Sequence, residues 1–74
     1  MIHERIVCDP KIMTGKPVIK GTRITVEIIL RLLAKKHSIK EILDGYPSLT
    51  EDDIHAAQEF AADFLAGNRI LAAE

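Results

Sequence analysis

The chain has 74 residues, 28% of them charged, a formal net charge of −1 and a single cysteine. This length leaves room for one small hydrophobic core and no second domain, and 47% hydrophobic residues is too many for a disordered chain. One Cys excludes an internal disulfide framework and a multi-cysteine zinc site, and no apolar run approaches the roughly 18 residues that a membrane span needs.

The N-terminus, MIHERIVCD, carries Glu4 and no long apolar stretch, so it does not read as a signal peptide, and a soluble cytoplasmic protein is expected. Arg5-Ile-Val-Cys8 is a short β-prone run closed by Asp9-Pro10, with Cys8 expected as a small buried hydrophobe. In GKPVIKGTRITV, residues 15–26, Pro17-Val18-Ile19 reads as a second short strand and Lys20-Gly21 as a turn. Gly21 permits positive φ and Thr22 can hydrogen-bond the turn backbone. Arg23 offers a planar fork either to an acid of the same chain or its dimer mate, or to a partner or DNA.

Three helices follow. Thr25 is a candidate N-cap for a helix from Val26 to about Lys36. Ser38 and Glu41 form a capping box that starts a short helix ending near Gly45, and Tyr46-Pro47 breaks the chain. Thr50 caps a third helix with Glu51, Asp52 and Asp53 in its first turn, predicted to run to about Ala66 and to stop at Gly67-Asn68. The expected domain is thus a β-strand and turn arm over 1–24, three helices over 25–66 and a short tail over 67–74.

Helical periodicity gives the third helix one apolar face of Ile54, Ala57, Phe60, Ala61, Phe64 and Leu65. The first helix is apolar over roughly 240°, wider than a lone small chain is expected to cover unless the N-terminal strands roof it. A homodimer is therefore expected, with Ile6, Val18, Ile19, Ile28 and Leu32 at the interface.

The near-neutral total hides a split. Residues 1–40 hold nine Lys and Arg against three acids, a net +6, and residues 41–74 hold one Arg against eight acids, a net −7. Such a split either solvates a small protein or marks surfaces for a polyanion and a basic partner. The break between the second and third helices has the outline of a helix-turn-helix, yet the acids that would lead its third helix into the major groove are repelled by phosphate. DNA contact is therefore expected from the basic segment: Lys11, Lys16, Lys20 and Arg23, with Lys35, Lys36 and Lys40.

Signals for catalysis are weak. His3, His37 and His55 have no metal-ligand spacing, no Ser/His/Asp or Cys/His set can be assembled, and GKPVIKGT lacks the GK[ST] of a phosphate loop. No enzyme activity, cofactor, metal or small-molecule substrate is expected.

The segments MTGKPVIKGTRITV, residues 13–26, and YPSLTEDDIHAA, residues 46–57, closely resemble the bacterial domain-of-unknown-function family numbered 433. The matching positions are Gly15, Pro17, Ile19, Gly21, Thr22, Arg23, Ile24 and Val26, then Tyr46, Pro47, Leu49, Thr50, Asp53, Ile54, Ala56 and Ala57. The likeness covers about residues 5–65 and departs at Lys35-Lys36-His37, where relatives commonly carry glycine. It implies a mainly α fold, with short N-terminal strands before a homodimeric three-helix, helix-turn-helix-like bundle. It also implies the antitoxin of a type II toxin–antitoxin pair whose toxin resembles a PIN-domain ribonuclease. Docking of that toxin is expected on the acidic C-terminal half, with contact at Arg69, Ile70 and Leu71. A stand-alone transcription regulator, or a small adaptor dimer that binds no DNA, are the other classes open to this sequence.

Overall fold

In a computed structural model, which describes residues 3–73 and the side chains of residues 3–67, the fold begins with two very short strands. Strand β1 (Ile6–Val7) pairs antiparallel with β2 (Val18–Ile19) in the register Ile6 opposite Ile19 and Val7 opposite Val18. Ladders of two residues are weak alone, so surrounding backbone bonds extend them. Lys20 N–H donates to the Arg5 carbonyl at 2.8 Å, Ile19 N–H to Ile24 at 2.9 Å and Val26 N–H to Pro17 at 3.0 Å.

The turn after β2 is closed by Thr22 N–H donating to the Ile19 carbonyl at 2.9 Å. Gly21, its third residue, has φ +81, as a type II turn requires. The Thr22 hydroxyl donates to Ile19 O at 2.8 Å and accepts from Ile24 N–H at 3.0 Å, so both turn residues act as their chemistry indicates. The loop between the strands turns through Met13, Thr14 and Gly15, all at positive φ, around a single 3₁₀ turn.

Helix α1 (Val26–Ala34) is capped by the Thr25 hydroxyl, which accepts from Ile28 N–H. Helix α2 (Ile39–Gly45) carries both halves of the Ser38–Glu41 capping box. The Ser38 backbone N–H, hydrogen-bonded to the Glu41 carboxylate, holds that carboxyl below the ordinary glutamate range, with the His37 ring adding to the effect. Helix α3 (Glu51–Ala73) is 23 residues long and starts from a second capping box. Asp53 N–H donates to the Thr50 hydroxyl at 3.3 Å, and Thr50 N–H donates to the Asp53 carboxylate at 3.0 Å.

The core joins the sheet to all three helices through Ile6, Ile19, Val26, Ile29, Ile42, Leu49, Ile54, Ala56 and Ala57. The two alanines let α3 pack closely against its neighbours.

Several expectations are corrected here. The first strand spans only Ile6–Val7, and Cys8, just beyond it, is exposed. Ile6, Val18 and Ile19 are buried inside the chain, so they present nothing to a second copy, and Ile6 and Ile19 pack into the core shared with the helices. Leu32 is half-buried, and of the five residues expected at an interface only Ile28 stands exposed, at 38%. Helix α3 does not stop at Gly67-Asn68 but continues to Ala73. One glycine lowers helix propensity by about 1 kcal/mol without breaking a helix flanked by good helix formers. The apolar stripe of α3 is covered only in its first half. Ile54 and Ala57 are buried and Phe60 and Ala61 half-buried, but Phe64 and Leu65 are 53% and 63% exposed, because the rest of the chain ends short of them.

The first helix ends two residues before the expected Lys36, in a Schellman motif. His37 N–H donates to Leu32 O at 3.1 Å and Lys36 N–H to Leu33 O at 2.9 Å, which places Lys36 at φ +71. A lysine stands where the geometry favours glycine. Lys36→Gly is therefore expected to stabilise the fold by about 0.5–1 kcal/mol, the strain of a non-glycine residue in the left-handed region. A thermal melt should show the midpoint rising by several degrees; a lower midpoint would contradict this reading of the turn.

Candidate interaction surfaces

Three features of the surface bear on function. The first is the set of basic side chains. Lys11, Lys16, Lys20, Arg23, Lys35, Lys36 and Lys40 are all exposed. Lys16 lies 3.5 Å from Glu27, and Lys40 lies 3.2 Å from Asp44 one turn on. The other five, Arg23 among them, make no ion pair among the described residues. Among the described residues, Arg23 pairs with no acid of its own chain.

The second feature ties the N-terminal arm to the start of α3. Arg5 Nη1 donates to Asp53 Oδ1 at 3.1 Å, and its Nη2 lies 3.6 Å from Asp52 Oδ2. The Asp53 side chain is only 10% exposed, while that of Arg5 is 43% exposed. Asp53 therefore serves at once as the reciprocal half of a helix cap and as the partner of a cation on another element. His3 lies alongside. Its Nδ1 accepts from Arg5 N–H at 3.1 Å, which leaves Nε2 to donate to Glu59 at 3.3 Å. The sequence places these acids in the first turn of α3 but does not reveal Arg5 as their partner, because a basic residue in a β-prone run carries no mark of a partner 48 positions away.

The other histidines make local contacts: His55 with Glu51 and Gln58 on α3, and His37 with Glu41. Among the described residues no group of three His, Cys, Asp or Glu side chains could hold a metal ion. No helix of the described residues is long and apolar enough to cross a membrane.

The third feature is an open apolar groove of about 510 Å³ between α1 and α3. Leu30 and Ala34 form one wall, Phe60, Ala61, Phe64 and Leu65 the other, and Pro17 closes one end. Its α1 rim is charged: Glu27 accepts from Arg31 at 3.0 Å and faces Lys16 at 3.5 Å. Arg31, then Lys16, hold the Glu27 carboxyl below the usual glutamate range. Helical periodicity does not reveal this groove, because it assigns Phe60, Ala61, Phe64 and Leu65 to a buried face. The expected toxin contacts Arg69, Ile70 and Leu71 lie outside the described side chains, although their backbone belongs to α3.

Comparison with known proteins places this arrangement in a family. Residues 6–61 match the family described as "Protein of unknown function (DUF433)", and the chain belongs to it. It is 36% identical over 68 residues to the uncharacterized protein y4eO of Sinorhizobium fredii, a match covering 90% of this chain and 31% of that one. It thus spans about a third of that relative's length. A 29-residue stretch, 39% of this chain, is 62% identical to an uncharacterized protein of Archaeoglobus fulgidus and covers 81% of it. The crystal structure of a DUF433 member from Anabaena variabilis superposes with a TM-score of 0.80 at 26% identity. That match covers 97% of this chain and 71% of the other, so the sheet followed by three helices is shared.

The contrast between two arginines tests this description. Arg5→Ala should destabilise the fold by about 1–3 kcal/mol, because it strips a charged hydrogen bond from a nearly buried carboxylate. Arg31→Ala, on an exposed helix face, should cost under about 0.5 kcal/mol. Urea unfolding of both variants checks this, and equal losses would contradict a special role for Arg5.

Proposed function

We propose that this chain is a non-catalytic binding module, the antitoxin of a type II toxin–antitoxin pair, and that it acts as a cytoplasmic homodimer. The observation that carries the reading is that the charge split of the sequence persists at the surface. Five exposed bases of the first forty residues have no ion-pair partner among the described residues, while α3 carries Glu51, Asp52, Glu59 and Asp63 exposed along its length. Unpaired bases favour phosphate, and an acidic helix favours the basic surface of a ribonuclease.

Inhibition is then stoichiometric. The distal end of α3, with Arg69, Ile70 and Leu71, seats on a PIN-like ribonuclease and blocks RNA from its basic cleft. Operator DNA binds through Lys11, Lys20, Arg23, Lys35 and Lys36, with Lys16 and Lys40 at the margins. In this helix-turn-helix-like bundle α3 is not the reader. Two of its leading acids already face Arg5, and clustered acids at a helix tip repel the DNA backbone.

Co-expression with an adjacent PIN-like reading frame should yield a complex that co-purifies and suppresses the ribonuclease. Deleting residues 67–74 should weaken that complex at least tenfold, by about 1.4 kcal/mol or more. Unchanged affinity would overturn the docking assignment, and failure of the two proteins to associate would overturn the antitoxin reading.

A further inference from the structure

The groove between α1 and α3 is an uncovered apolar surface on a chain whose own core is small. Phe64 and Leu65 form its outer wall at 53% and 63% exposure, on a helix whose first half is well packed. We propose that a second copy of this chain fills it, the α3 segment 60–65 of each copy lying in the groove of the other. The proposal locates the interface that the dimeric reading above requires, and it needs neither toxin nor DNA to hold.

Three observations favour a second copy over another occupant. The stretch Phe60–Leu65 is both a wall of the groove and, by its exposure, a ridge that fits one, so a single two-fold axis satisfies both copies. Charge agrees as well: Asp63 is exposed beside Phe60 and Phe64 and makes no ion pair among the described residues, while the facing rim carries Lys16 and Arg31 around the single acid Glu27, which leaves that rim net positive. Size points the same way. In a 74-residue chain with ten buried core hydrophobics among the described residues, two large side chains left in water are a substantial share of the apolar surface available for burial.

The site differs from the interface that sequence alone suggested. Ile6, Val18 and Ile19 are internal, and Ile28 lies on the side of α1 turned away from Leu30 and Ala34. The distal residues of α3 remain outside the groove segment, so a dimer built this way still offers two helix ends to other proteins.

Sedimentation equilibrium of the full chain alone, without toxin or DNA, tests the proposal. The expected species is a dimer of twice the 8.2 kDa chain mass. Phe64→Glu should raise its dissociation constant by about a hundredfold, since truncating or charging a central aromatic anchor removes a dominant contact. Because Phe64 is half in water, the far-ultraviolet circular dichroism of that variant should match the parent. Asp63→Arg and Arg31→Glu should each weaken the dimer several-fold, and the double variant should restore it. A parent chain that stays monomeric at about 100 μM, a dimer indifferent to Phe64→Glu, or charge swaps without effect would overturn the proposal. A groove protected only when a ribonuclease partner is added would overturn it in favour of that partner.

Discussion

The contact on which the rest of this small structure hangs is the one between Arg5 and Asp53. Strands of two residues cannot hold an N-terminal arm in place by their own ladder. Arg5 binds the arm to the first turn of α3 at 3.1 Å, and His3 repeats the attachment two turns further along the helix through Glu59. Asp53 can take that role because the capping box has already fixed its side chain: Thr50 N–H holds one carboxylate oxygen and leaves the other facing the arm. With β1 clamped to the start of α3, β2 follows by pairing, α1 by the tight turn through Gly21, and the angle between α1 and α3 is set. The groove between those helices is a consequence of that angle.

The parts of this fold that depend on local chemistry are legible in the sequence. Thr25, Ser38 with Glu41, and Thr50 with Asp53 mark the three helix starts, and each makes the hydrogen bond that its position implies. The turn at Gly21-Thr22 is equally local. What escapes a linear reading depends on where chain ends or on distant partners. Helical periodicity assigns Phe64 and Leu65 to a buried face, but it carries no information on how far the neighbouring elements reach, and here they stop near Phe60. Likewise Gly67 signals a stop that better helix formers on both sides outweigh. Lys36 escapes for a different reason. Its left-handed conformation follows from the Schellman bonds that join α1 to α2, and only the resemblance to a family that commonly carries glycine there hinted at it.

The interaction surfaces divide in the same way. That the basic residues fall in the first forty positions is a property of sequence, and the fold leaves all seven of the singled-out bases exposed while pairing only Lys16 and Lys40. The acids behave differently, since many are engaged in caps, i to i+4 pairs or the clamp to Arg5. The basic side chains are therefore the larger store of unneutralised charge, and the apolar groove is a separate surface of different chemistry. The two surfaces meet at Lys16, which is one of the seven bases and also lines the groove.

The most direct test of that organisation is the binding of duplex DNA to the full chain across a salt series. If the five unpaired bases each meet a phosphate, the logarithm of the association constant should fall against the logarithm of salt concentration with a slope of about −4 to −5 per chain. Replacing Lys20 and Arg23 together by alanine should make that slope shallower by about 2. Absence of binding even at low salt, or a slope unchanged by those substitutions, would contradict a nucleic-acid role for the basic surface.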